Sequence, residues 1–422
     1  MLLIYRYLIN FLFPVIIIII YLRTLFKKED KIRFKEKLFS KSFNVIKDNN
    51  KKLIWFHAAS IGELKSMVPL IKKLNKDDEF DFLVTTVTLS SSQLIKKELF
   101  EEKNIIHRFF PIDKLSLVKK FLSDWSPHFI LFVDSEIWPN FLLEIKKRNI
   151  PLTLLNGRIT KKTFLRWSVV PSLAERIFQT FDLCLSSNKE SKEYLERFKV
   201  KNVKYFGNLK LTSNSKKNKL DNKNQDTLNN NFWCAVSTHK EEDIFCLKTH
   251  LKIKKNKKNV ITIIIPRHIN RTKNIKLNCE KLHLNSQILS DGELIEKDKE
   301  IIIINSYGVM SKYLTLCKSV FIGKSMIKKL KSVGGQNPIE AAKLGCKIYH
   351  GPYVYNFEEI YALLNQYNIS EKIHNEDELS NKLIFDLGET SRVKDEYIKF
   401  INDLGTKILD QSFNEIKKII NK

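Results

Sequence analysis

The sequence predicts an α/β protein of two halves, each built on a parallel sheet and preceded by one apolar membrane helix. Three observations carry that expectation: an apolar run at the amino terminus, short β-rich runs that alternate with helical stretches, and a polar interruption near mid-chain. At 422 residues and 43% hydrophobic, the chain can bury two or three cores of ordinary size.

Leu2 to Leu22 is apolar apart from Arg6, Asn10 and Pro14, and it peaks at Val15 to Ile20. About 20 such residues cross a bilayer core. A signal peptide would end in a small-residue cleavage site, whereas Tyr21, Arg23, Lys27, Lys28, Lys31 and Arg33 follow here. Residues 1–25 therefore read as a retained anchor, and the basic excess after it puts the rest of the chain in the cytoplasm and the short amino terminus outside. The alternative is a helix lying in the interface.

Strands are expected at Leu53–Phe56, Phe82–Thr86, Phe129–Val133 and Leu152–Leu155, then at Trp233–Val236, Val260–Ile265, Ile301–Ile304 and Ser319–Ile322. Between Ser213 and Asn231 lies a Lys/Asn/Ser/Asp stretch with almost no apolar residues, read as a linker. The expected division is 1–25 anchor, 26–212 first domain, 213–231 linker, 232–385 second domain, and 386–422 closing helices that pack back on the first domain. Sheets of this kind bind ligands at the carboxyl ends of their strands, so a cleft between the halves is the expected site.

The formal net charge of +26 suggests nucleic acid, an anionic membrane or a phosphorylated substrate. Enrichment in Lys, Ile and Asn, with 12 Gly and 10 Pro, points to a compositional bias behind much of it. No nucleic-acid recognition module is recognisable. The six cysteines are scattered without CxxC pairs, so they read as reduced core residues rather than metal ligands.

Four segments carry chemistry. His57 to Glu63 follows a strand and opens a helix; Ser60 and Glu63 form an S-x-x-E capping box, while Gly62 costs roughly 1 kcal/mol of helix propensity that a plain cap does not need. Glu63 is thus either a cap or a base that a ligand can approach. Asp134, Ser135 and Glu136 precede the rigid Trp138-Pro139 turn, and the two carboxylates suit either a divalent ion or metal-free charge stabilisation. Pro266 and Arg267 leave the most apolar strand, where an arginine pairs with phosphate or with a surface acid. Gly334 and Gly335 lead into Asn337 as a cap, Pro338 at the first helical position, Ile339 and Glu340, a helix start suited to phosphate, with Glu340 able to take ribose hydroxyls.

In order along the chain, the anchor, His57 to Glu63, Asp134 to Asn140, Asn156-Gly157-Arg158, Gly207 to Lys210, Ser237-Thr238-His239, Pro266 to Arg271, Gly334 to Ala342, Gly351-Pro352 and Asn356-Phe357 resemble the 3-deoxy-D-manno-octulosonic acid (Kdo) transferases. The resemblance implies a GT-B fold, two Rossmann-like domains with a cleft between them, and transfer of Kdo from CMP-Kdo to a lipid A precursor on the cytoplasmic side of a bacterial inner membrane. It implies Glu63 as base, Asp134, Glu136 and Lys210 as transition-state support, and no metal or other cofactor. It further implies CMP binding by Pro266, Arg267, Gly308, Val309, Met310, Asn337, Pro338, Ile339 and Glu340. Three positions depart from the family pattern: Asp134-Ser135-Glu136 for Glu-Thr-Glu, Gly323-Lys324-Ser325 for Gly-Gly-Ser, and Gln336 for the His before Asn337. A sugar-nucleotide epimerase on the same fold and a basic nucleic-acid-binding protein are the alternatives.

Overall fold

The computed structural model describes residues 1–46, 50–77, 79–99, 102, 104–213, 219–228, 231–388 and 395–421. The chain forms two compact units, Met1–Ser213 with Leu404–Lys422, and Asn214–Asp403.

The first unit carries β1 (Lys52–Ala58), β2 (Phe80–Thr86), β3 (Ile105–Phe109), β4 (Phe129–Val133), β5 (Leu152–Gly157), β6 (Leu183–Ser186) and β7 (Val203–Lys204). They pair in the order β3-β2-β1-β4-β5-β6-β7, and every neighbouring pair is parallel. The chain runs outward from β1 to β3 and returns to β4 on the other side of β1. That reversal makes the ends of β1 and β4 the switch point where ligands of such sheets collect. The four strands expected in this half are present. β3 escaped notice because His107 and Arg108 interrupt a half-buried edge strand, and β6 and β7 are only four and two residues long.

An aromatic cluster fixes the strand ends. Trp55 on β1 lies 5.0 Å from Phe121, 5.3 Å from Phe132 and 5.6 Å from Phe141, ring centre to ring centre. All four are essentially fully buried, and such rings dominate core energetics by area.

The amino-terminal helix Leu2–Leu25 is long and apolar enough to cross a membrane, with mean hydropathy 2.2. One stripe of it is docked. The Tyr5 hydroxyl donates to Asp113 Oδ2 at 2.7 Å, Arg6 Nε donates to Asn140 Oδ1 at 2.8 Å, and Ile20 is buried with Phe34 and Leu38. At 1.5 Å per residue, Tyr5 to Ile20 is about 22 Å of attachment. The opposite stripe leaves Leu8, Phe11, Val15, Ile18 and Leu22 exposed. Tyr5 and Arg6 are tied into the folded unit by these paired polar groups.

The second unit carries β8 (Phe232–Thr238), β9 (Ile261–Pro266), β10 (Ser286–Leu289), β11 (Ile301–Ile304), β12 (Ser319–Ile322), β13 (Lys347–His350) and β14 (Ser370–Lys372), again parallel, in the order β10-β11-β9-β8-β12-β13-β14. Its switch point lies between β8 and β12. The stretch read as a linker lies partly outside the described residues, and its described part holds a helix, Asn222–Leu228, with Leu220 and Leu228 buried. All six cysteines are buried and none is in a disulfide.

Candidate active site

In the first unit the residues after β1 and β4 converge. Ser60 caps the helix Ile61–Leu74, its hydroxyl oxygen accepting from the Glu63 amide at 3.4 Å while Glu63 Oε2 accepts from the amides of Ala59 at 2.7 Å and Ser60 at 3.4 Å. The capping box is therefore real. Capping does not exhaust Glu63, because burial, followed by the neighbouring charges of Asp134 and Glu136, pushes its carboxyl above the usual range. A capping carboxylate at a helix amino terminus is ordinarily driven the other way. Gly62 faces open space, since a Cβ there would meet only Ser60 Oγ at 4.0 Å.

Asp134 follows β4 with φ +63, a left-handed turn that aims its carboxylate back across the strand ends. Its Oδ2 accepts from Lys210 Nζ at 3.2 Å, and its Oδ1 accepts from the Ser135 hydroxyl at 3.2 Å. Lys210 reaches this point because Asn156 Oδ1, at the end of β5, accepts from the Leu209 amide at 2.8 Å. The Asn156-Gly157-Arg158 and Gly207-to-Lys210 segments thus form one support.

Glu136 is held differently. Its Oε2 accepts from Trp138 Nε1 at 2.7 Å and lies 3.1 Å from Nε2 of the fully buried His57. Burial works to raise this carboxyl, but the hydrogen bond and charge of His57 and the Trp138 bond outweigh it and hold the group below its usual range. His57 is itself fixed by Phe110, stacked at 3.8 Å, and by Thr85, whose hydroxyl oxygen is 3.0 Å from Nδ1. Trp55 Nε1 donates to that same hydroxyl at 2.8 Å.

All four first-unit residues singled out by resemblance, Glu63, Asp134, Glu136 and Lys210, belong to one electrostatic group. The partners His57, Trp138 and Thr85 were not assigned roles from sequence. His57 carried a usable signal, a polar residue in an otherwise apolar strand; Thr85, on a different strand, carried none.

In the second unit, Arg267 leaves β9 exposed while Arg271 is committed, pairing with Asp243 and donating to the Thr238 carbonyl at 2.9 Å. Lys324, His268, Arg271 and Arg267 surround His239; burial first, then these neighbours, drive the His239 imidazole down to about 4. The Gln336 amide lies 3.4 Å from His239 Nε2.

The Gly323-Lys324-Ser325 turn has an internal purpose. Buried Glu242 accepts the amides of His239, Lys324, Ser325 and Met326 at 2.9, 2.6, 2.8 and 3.0 Å. Those amides are spent inside the protein. Lys324 holds φ +58, a left-handed position costing an L side chain roughly 1–2 kcal/mol and suited to the glycine usual in the resembled family.

Gly334 and Gly335 are also explained by packing. A Cβ on Gly334 would fall 2.3 Å from the Tyr353 carbonyl oxygen, and one on Gly335 would fall 2.9 Å from Val354 Cα. Asn337 Oδ1 accepts from the Ile339 amide at 3.0 Å, and the helix runs Ile339–Lys343, one residue later than Pro338 suggested. Gly308, at φ +81 with open space around it, and buried Val309 lead into the helix Met310–Leu314. Among the described residues, no three His, Cys, Asp or Glu side chains group so as to hold a metal ion.

Residues 33–213 match the family model described as 3-deoxy-D-manno-octulosonic-acid transferase (kdotransferase). The chain is 28% identical over 423 residues to the 3-deoxy-D-manno-octulosonic acid transferase of Rickettsia bellii, covering 98% of each. It is 25% identical over 320 residues to that of Haemophilus influenzae, covering 74% of this chain and 73% of that protein. Among solved structures, the UDP-N-acetylglucosamine 2-epimerase of Rickettsia bellii aligns with TM-score 0.52 at 11% identity, over 87% of this chain and 98% of that one. Likeness at that identity shows the fold alone, the two-domain GT-B kind. The family model over residues 33–213 and the near full-length relatives make the chain similar to the Kdo transferases, a family of glycosyltransferase enzymes.

Proposed function

We propose that the chain transfers Kdo from CMP-Kdo to a lipid A precursor, a tetraacyl disaccharide bisphosphate, and that it does so without a metal. The observation that carries the reading is the contrast between two carboxyls in one group, Glu63 pushed up and Glu136 held down. Divided environments of this kind separate a proton acceptor from a permanent charge.

Glu63 takes the proton of the acceptor hydroxyl as that oxygen bonds to the anomeric carbon of Kdo. The bond from that carbon to the CMP phosphate breaks, and its electron pair leaves on the phosphate. Asp134, steadied by Lys210, and Glu136, steadied by His57 and Trp138, oppose the positive charge that develops on the sugar. Arg267, with Lys324 close by, meets the donor's anionic oxygens, with Pro266, Gly308 to Met310 and Asn337 to Glu340 completing the nucleotide site.

The exposed stripe of Leu2–Leu25 rests in the lipid interface of the inner membrane with both units on the cytoplasmic side, the basic residues from Arg23 to Arg33 meeting anionic headgroups. Incubating purified protein with CMP-Kdo and the tetraacyl acceptor, then weighing the products, tests the reading. A mass gain of one or more Kdo units is expected; an unchanged acceptor, or conversion of UDP-N-acetylglucosamine instead, would overturn it.

A further inference from the structure

We infer that the amino-terminal helix is part of the active-site scaffold, with Tyr5 and Arg6 acting as positioning residues that hold the Glu136 loop through Asp113 and Asn140. The inference rests on the reading of Glu136 given above and goes beyond membrane attachment.

The connection is continuous. Asp113 caps the helix Pro139–Lys147 from outside, accepting the Asn140 amide at Oδ2, 3.0 Å, and the Phe141 amide at Oδ1, 2.9 Å. Tyr5 donates to the same carboxylate at 2.7 Å. Asn140 Nδ2 donates to the Asp113 carbonyl at 2.6 Å, while its Oδ1 accepts from Arg6 at 2.8 Å. Asp113 is 2% exposed and Asn140 is 0% exposed, so the acceptors of these bonds are withdrawn from water, while Tyr5 and Arg6 are half-buried. Two residues before Asn140 stands Trp138, which holds Glu136, and the rigid Pro139 between them passes a shift of Asn140 directly to the indole.

An apolar helix that merely coats a domain needs no matched polar pairs at its far end. Burying Asp113 and Asn140 is favourable only when each finds its partner, and half-buried Tyr5 and Arg6 supply two of those partners, so the contact specifies position as well as adhesion. Through Lys114, whose ammonium sits 4.0 Å from the Phe13 ring, the helix also grips the residue next to Asp113.

The test separates positioning from attachment. Full-length protein in detergent micelles is assayed for Kdo transfer, and binding to phosphatidylethanolamine/phosphatidylglycerol vesicles is measured in parallel. Tyr5→Phe should lower kcat about tenfold, the equivalent of about 1.4 kcal/mol, with KM for CMP-Kdo and vesicle binding unchanged. Hydrogen exchange at the Asn140 and Phe141 amides should speed up by a similar factor. On the exposed stripe, Leu8→Ser with Phe11→Ser should weaken vesicle binding and leave micellar kcat unchanged. Arg6→Gln serves as the second inward variant if Tyr5→Phe does not fold. Wild-type kcat and wild-type exchange in the inward variants would overturn the inference, as would loss of kcat only in step with loss of vesicle binding. If the wild-type chain transfers no Kdo, the functional reading of Glu136 fails, and the exchange rates alone decide whether the helix orders the loop.

Discussion

His57 Nε2 lies 3.1 Å from Glu136 Oε2, with the imidazole at 0% exposure and the Glu136 side chain at 14%. The pair explains how an acidic cluster avoids sharing its protons evenly. Glu136 stays ionised because His57 and Trp138 hold its charge, and that fixed charge helps to raise Glu63.

Replacing His57 with Leu keeps the core apolar and removes the donor. Glu136 then loses its largest stabilising contact, so its pKa rises and its ionised fraction at a given acid pH falls. The expected outcome is a loss of about tenfold or more in kcat, with the acid limb of the pH–rate profile displaced from its wild-type position. An unmoved limb would remove His57 from the account.

Glu63→Gln distinguishes the cap from the base. The Gln carbonyl oxygen can still accept from the Ala59 amide, so stability should change by only a few tenths of a kcal/mol. Proton removal has no such substitute, and turnover should fall by roughly 100 to 10,000-fold with CMP binding intact. Retention of more than about a tenth of wild-type turnover leaves only the cap.

The same raised carboxyl sets a pH dependence. A base must be ionised, so activity should fall as pH drops through the elevated Glu63 pKa rather than through the ordinary carboxylate range. Stability runs oppositely: a carboxyl raised on folding binds more protons in the native state, so this group favours folding at low pH and its contribution is lost as pH rises through the raised value. Comparing denaturant midpoints of wild type and Glu63→Gln across the acid range checks the sign.

Activity should survive EDTA, because Asp134 already has Lys210 as its counter-charge and Glu136 has His57 and Trp138. Loss of turnover on chelation, restored specifically by magnesium or manganese, would overturn metal-free transfer.

Reporters fused before Met1 and after Lys422 should both behave as cytoplasmic, since Tyr5 and Arg6 are bound to the unit that also contains Leu404–Lys422. A periplasmic amino-terminal reporter would mean that the helix crosses the bilayer.

The sequence by itself determined the class of fold, the apolar helix and the strands whose burial is complete. Phe129–Val133, Ile301–Ile304 and Ser319–Ile322 were legible to the residue, because a strand covered on both faces is an uninterrupted apolar run. It also singled out Glu63, Asp134 and Glu136, in short segments that follow strands, and Lys210 through the family resemblance. Tertiary structure alone decided what those residues do to one another. Asp134 meets Lys210 across 76 positions and His57 meets Glu136 across 79, and neither carboxyl's environment can be read locally. The same holds for the glycines at 334 and 335, which resemble a phosphate-binding turn but are required by the backbone at Tyr353 and Val354. It holds for the amino-terminal helix as well: its composition announces lipid, while its docking is decided by two polar residues, Tyr5 and Arg6, whose partners lie more than a hundred positions away. Composition and periodicity report which surface a segment prefers, whereas pKa, loop geometry and attachment depend on distances between groups that only folding brings together.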